Sequence, residues 1–125
     1  MPRILVVDDE PLISMMVEDW LMELGHEVVG PARTVADGLG FANTATLDGA
    51  ILDIRLGDGD SYGIAGTLKD RGIPFVFATG QGEASLASGF EQALVLAKPF
   101  EFGAVEAILS ELLAGAASPP EREAS

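Results

Sequence analysis

The chain alternates between short runs of consecutive apolar residues and longer stretches with helical periodicity. The first apolar run, Arg3–Val7 (RILVV), reads as a strand ending at Asp8. Residues 10–25 read as a helix: Pro11 suits the first helical position, and Ile13, Met16, Val17, Trp20, Leu21 and Leu24 share one face. Gly25 is a natural stop. Residues 27–30 (EVVG) form a second strand. Thr34, with Asp37 three positions on, resembles a capping box opening a second helix. Gly38 and Gly40 weaken that helix, each by about 1 kcal/mol relative to Ala.

Residues 49–54 (GAILDI) form a third strand containing Asp53, and a glycine- and aspartate-rich loop follows at 57–60. A third helix is expected from about 61 to 71, stopped by Gly72. Residues 74–78 (PFVFA) make a fourth strand, ending at Thr79-Gly80. A helix over 83–90 is poor, with Gly80, Gly82 and Gly89 around or within it, and is expected to be short or mobile. Residues 93–97 make a fifth strand, ending at Lys98-Pro99, where the peptide bond can be cis at modest cost. Residues 101–114 form an amphipathic helix with Phe102, Val105, Leu109 and Leu112 on one stripe. The order is βαβαβαβαβα. Short apolar strands in strict alternation with helices imply an α/β fold, a doubly wound parallel sheet covered on both faces.

Composition narrows this to one domain, residues 1–114, with a disordered tail over 115–125. At 125 residues and 48% hydrophobic content the chain can bury a core, and two prolines and several charges mark the tail. The absence of cysteine excludes disulfides and thiolate metal sites and suits a reducing, cytoplasmic setting. No signal-like segment and no membrane-length apolar run are present. A formal charge of −13 disfavours nucleic acid and anionic membranes as partners.

The chemistry-bearing residues fall at strand ends. In a parallel sheet the carboxyl ends of neighbouring strands meet at one edge, where open α/β folds bind ligands. Asp8, Asp9, Asp53, Thr79 and Lys98 would therefore converge. Clustered carboxylates repel, which raises their pKa values, and Mg²⁺ would relieve that with oxygen ligands. A carboxylate such as Asp53 can attack phosphorus. Lys98 supplies a point charge for an anionic group, and Thr79 a hydroxyl donor. Taken singly, each has a plainer explanation. Asp8-Asp9-Glu10 suits an acidic helix start, Asp53 a loop cap, Thr79 a strand end and Lys98 a solvated surface. Their joint placement is far more specific than any one of them. No Walker A or GxGxxG sequence is present, and His26, the only histidine, is expected at the surface.

At these residues the chain resembles the CheY-like receiver domain of bacterial two-component response regulators, over about residues 3–114. The resemblance implies a flavodoxin-like, five-stranded parallel sheet of order 2-1-3-4-5 flanked by five helices. It implies that Asp53 accepts a phosphoryl group from a sensor histidine kinase or phosphotransfer protein, and that Thr79 and Lys98 contact phosphoryl oxygens. It also implies that Asp9, Asp53 and the Arg55 backbone carbonyl bind Mg²⁺ directly, with Asp8 acting mainly through a metal-bound water. The run Phe77-Ala78-Thr79-Gly80 is similar to an alphaproteobacterial subgroup often linked to HWE-type kinases. Gln81 and Gly82 make that match partial. Many receivers carry Tyr or Phe three residues before the lysine as a rotamer switch, and here that position is Val95.

The expectation is a stand-alone regulator, not an enzyme beyond its own phosphorylation and dephosphorylation. Its 80–89 segment would reorder on phosphorylation and change binding to a downstream protein. The alternatives are a phosphoryl shuttle or sink, a receiver that binds without phosphorylation, and a magnesium-dependent phosphohydrolase of the haloacid-dehalogenase type. That last enzyme wants an aspartate two residues after its nucleophile, where Arg55 and Glu10 stand.

Overall fold

Strand β1 (Arg3–Val7) lies inside the sheet, where every residue after Arg3 is apolar and fully buried. The computed structural model describes residues 1–80, 86–87, 89–90, 93–98 and 101–117. Around β1 stand α1 (Pro11–Glu23), β2 (Glu27–Ala32), α2 (Val35–Thr44) and β3 (Gly49–Asp53). A two-stranded antiparallel hairpin follows, β4 (Arg55–Leu56) with β5 (Gly59–Asp60). Then come α3 (Tyr62–Asp70), β6 (Phe75–Thr79), β7 (Leu94–Ala97) and α4 (Phe102–Ala117). The main sheet is parallel, in the order β2-β1-β3-β6-β7. With the hairpin set aside this is the expected order 2-1-3-4-5. Four helices lie among the described residues. Half of the expected helix over 83–90 falls on residues outside them, and its described residues 86–87 and 89–90 are not helical; Pro99 and the end of the tail also lie outside.

Alternation along the strands divides the core in two. Leu5, Val7, Leu52 and Phe77 face α2 and α3, where Ala42, Ile64, Ala65 and Leu68 close the layer. Ile4, Val6, Ile51 and Val76 face α1 and α4, where Val17, Leu21, Val105, Leu109 and Leu112 do the same. The periodic stripes of the first and last helices therefore both pack inward. Trp20 and Phe102 meet edge to face at 6.0 Å, tying α1 to α4.

Three departures from the periodic pattern have local causes. Helix α2 forms despite its glycines: the Thr34 hydroxyl accepts from the Asp37 N–H at 3.1 Å, and a Cβ on Gly38 would lie 2.5 Å from buried Ile64. That glycine allows α2 and α3 to approach closely. Strand β2 runs on through Pro31 to Ala32, past the expected end at residue 30, because β2 is an edge strand and tolerates a missing N–H. Gly30, at φ +96, accompanies a register shift against β1. A Cβ there would stand 2.8 Å from the Ala32 nitrogen. Third, part of the 57–60 loop is paired as the β4–β5 hairpin. Helix α4 also continues to Ala117, beyond residue 114. His26 is half-buried, not simply exposed. Its Nδ1 is enclosed without a hydrogen-bond partner among the described residues, and burial, then the charged amino terminus, lowers its pKa.

Candidate functional site

Register places the strand-end residues at one level. Val7 pairs with Leu52, Asp53 with Ala78, and Thr79 with Ala97, so Asp8, Asp53, Thr79 and Lys98 succeed one another across the carboxyl edge. Backbone bonds lock the edge. The Asp8 N–H donates to the Ala32 carbonyl at 3.0 Å, a contact that exists because β2 continues past Pro31. The Ile54 N–H donates to Ala78 O at 3.2 Å, and the Lys98 N–H to Thr79 O at 2.7 Å.

Between these ends lies a cleft of about 410 Å³, lined by Asp9, Glu10, Asp53, Ile54, Arg55, Ala78, Thr79, Gly80 and Lys98. Its centre is an ion-pair network. The Lys98 ammonium donates to Asp53 Oδ2 at 3.1 Å and stands 3.6 Å from both Asp8 Oδ2 and Glu10 Oε1. Asp8, Asp53 and Thr79 are buried, while Glu10 is largely open to solvent. One carboxylate oxygen each from Asp8, Glu10 and Asp53 lies within 4.8 Å of the others.

Burial and crowding set the protonation of this group. Burial pushes the Asp53 carboxyl up to about 6, against the hydrogen bond and charge of Lys98, with Asp8 and Asp9 adding to the rise. Asp8 is also raised, chiefly by burial, although the Glu10 N–H (2.9 Å) and Lys98 oppose it. For Lys98, burial alone would lower the pKa. Asp8, Asp53 and Glu10 outweigh it and hold the ammonium above its ordinary value. A lysine flanked by three carboxylates remains charged, and the cluster keeps a net negative charge that a further cation would relieve.

Of the candidate residues, Asp9, Asp53, Arg55, Thr79 and Lys98 line this one cleft, and Asp8 joins them through its ion pair with Lys98. Asp9 lines the cleft with its Oδ2 towards the hairpin turn, 3.5 Å from where a Gly57 Cβ would stand. Glu10, not singled out from the sequence as a ligand, supplies the third carboxylate of the tight cluster. The signal was the acid following Asp8-Asp9. A helix-start reading absorbed it, yet the Glu10 side chain makes no capping bond. Arg55 lines the cleft from β4. Val95 is 42% exposed on β7.

A doubly wound sheet with such a cleft at its carboxyl edge places the chain among open α/β proteins that bind ligands at that edge. Residues 4–110 match the response regulator receiver domain family, and the chain belongs to that family, whose members work in two-component signalling with histidine kinases. Membership sets aside the haloacid-dehalogenase-type alternative. The chain is 45% identical to SdrG from Sphingomonas melonis Fr1, whose solution structure overlays with a TM-score of 0.80, covering 90% of this chain and 97% of that one. The BeF3-activated conformation of SdrG from Pseudomonas melonis Fr1 is 46% identical with a TM-score of 0.75, covering 89% of this chain and 95% of that one. The phyllosphere-induced regulator PhyR of Methylorubrum extorquens is 38% identical over 98% of this chain and 47% of its own length. The chain thus spans about half the length of the curated relatives it matches. SdrG and PhyR are alphaproteobacterial, in keeping with the Phe77-Ala78-Thr79-Gly80 run. Among the described residues, no helix is long and apolar enough to cross a membrane.

Proposed function

We propose that this receiver accepts a phosphoryl group on Asp53 and signals by changed protein–protein binding. The observation that carries the reading is the Lys98–Asp53 contact of 3.1 Å inside a cleft that also holds Thr79 and the acidic cluster. Asp53 is the only one of the three clustered carboxylates that lies both at the tip of the central strand β3 and on the cleft wall. An Asp53 oxygen would attack the phosphorus of a phosphohistidine. The new P–O bond forms as the P–N bond breaks, and the released imidazole takes up a proton. Lys98 lies where its ammonium would neutralise one phosphoryl oxygen, and the Thr79 hydroxyl would donate to another.

The donor set suits a divalent cation, because it is all oxygen and burial leaves it short of positive charge. Asp8, Glu10 and Asp53 would hold Mg²⁺, with Asp9 and the Arg55 carbonyl as further oxygen donors in the cleft. When bound, Mg²⁺ supplies charge neutralisation for the transferring group. The partners of this reading are a sensor kinase or phosphotransfer protein upstream and a protein target downstream. The activated SdrG structure supports an acceptor that responds to a phosphoryl mimic.

The test is intact-mass spectrometry after treatment with acetyl phosphate and Mg²⁺. Wild type should gain one phosphoryl group and Asp53→Asn none. Equal labelling of the two would overturn the assignment.

A further inference from the structure

Val95 leaves a gap in the usual route from a receiver's acceptor site to its surface, and the structure fills the corresponding place from another direction. Val95 pairs with Phe77, and Thr79 with Ala97. By strand alternation residues 77, 79, 95 and 97 share one face of the sheet. The aromatic beside Phe77 on that face comes from the β6–β7 connection. Phe90 lies 5.8 Å from Phe77 and 6.1 Å from Phe75, both near edge to face.

Helix α3 holds Ala87, Gly89 and Phe90 of this connection in place. The Tyr62 ring stacks at 5.5 Å on Phe90 and meets Phe77 at 5.3 Å. Its hydroxyl oxygen accepts from the Ala87 N–H at 3.1 Å. From the last turn of α3, the Lys69 ammonium donates to Gly89 O at 3.1 Å and lies 5.5 Å above the Phe90 ring. Tyr62 is itself fixed at the helix start, where its N–H donates to Asp60 of the hairpin that follows Asp53. One aromatic group therefore touches α3, β6 and the connection, and both ends of it lead back to the cleft. Phe77 stands two residues before Thr79, and Tyr62 follows the β4–β5 hairpin.

We propose that Tyr62, Lys69 and Phe90 form a latch that holds Ala87 and Gly89 against α3 in the unphosphorylated protein and releases them when Asp53 is modified. The inference rests on the receiver reading and gives that reading its conformational output. Drawing Thr79 towards a phosphorylated Asp53 shifts the end of β6, and the Phe77 contact passes that shift to Phe90. The latch has two discrete states, Tyr62–Ala87 bond made or broken, as a population-shift mechanism needs. By linkage, whatever weakens the latch must strengthen binding of a ligand that favours the released state.

The probe is beryllofluoride with Mg²⁺, read by titration and by amide hydrogen exchange at Ala87. Tyr62→Phe keeps the ring and removes the acceptor, and Lys69→Gln removes the ammonium from an exposed position. Each variant should bind beryllofluoride about 3- to 10-fold more tightly than wild type. In wild type, the probe should cut protection of the Ala87 amide by a similar factor. If wild type binds the probe, and both variants bind it equally well with Ala87 protection unchanged, the latch is overturned and the receiver reading stands. If wild type neither binds beryllofluoride nor labels on Asp53, both fall together.

Discussion

Strands β3 and β7 both carry a cleft residue at their carboxyl end, yet they are built differently. Every residue of β3 is buried, between β1 and β6 and beneath helices on both faces. Strand β7 is an edge strand with only Leu96 buried. Asp53, the proposed acceptor, thus stands on the most buried strand of the main sheet, and Lys98 follows a strand with a single buried residue. On the proposed reading that division suits a site that binds a phosphoryl group and then reports it, with Asp53 held on β3 and adjustment left to the Lys98 side of the cleft. Changes on β3 should therefore act on folding, and changes on β7 and its connection on switching.

Truncation of the central strand gives the largest effect. Leu52→Ala removes a fully buried side chain from the layer under α2 and α3, and should lower stability by about 2–5 kcal/mol in urea denaturation. A loss under 1 kcal/mol would erase the contrast drawn between the two strands.

Next comes the charge placed at the end of β3. Without metal, the Asp53 pKa is raised from 3.8 to about 6 in the folded state. A carboxyl raised on folding contributes stability that is present below its unfolded pKa and is lost as pH rises through the folded value. Asp53→Asn in EDTA should therefore stabilise the protein by about 1–3 kcal/mol at pH 8, and the gain should vanish near pH 4. Denaturation curves at several pH values check this, and a pH-independent gain would contradict the burial argument.

The smallest effect belongs to the edge. Val95→Ala removes a side chain already 42% exposed, and stability should fall by less than about 1 kcal/mol. Val95→Tyr sharpens the same contrast. With an aromatic supplied from β7, beryllofluoride affinity should depend less on Tyr62, and a double-mutant cycle with Tyr62→Phe measures that coupling.

Much of this molecule follows from local pattern. Ile13, Met16, Val17, Trp20, Leu21 and Leu24 repeat at helical spacing because one face of α1 must meet the sheet, and all six pack against it. Arg3–Val7 and residues 49–53 read as strands because continuous apolar runs suit a sheet covered on both faces. That same alternation puts Asp8, Asp53, Thr79 and Lys98 at the ends of neighbouring strands, so these four are legible as neighbours before the shape of the site is known. The tertiary structure decided what periodicity does not encode. It turned Glu10 towards Lys98 and Asp9 towards Gly57, carried β2 through Pro31 to hold Asp8, and set Phe90 from a distant connection against Tyr62. Periodicity fixes which face a residue occupies. The direction of a side chain at a strand end, and the partner it meets across the sheet, depend on backbone paths that only the packed chain defines.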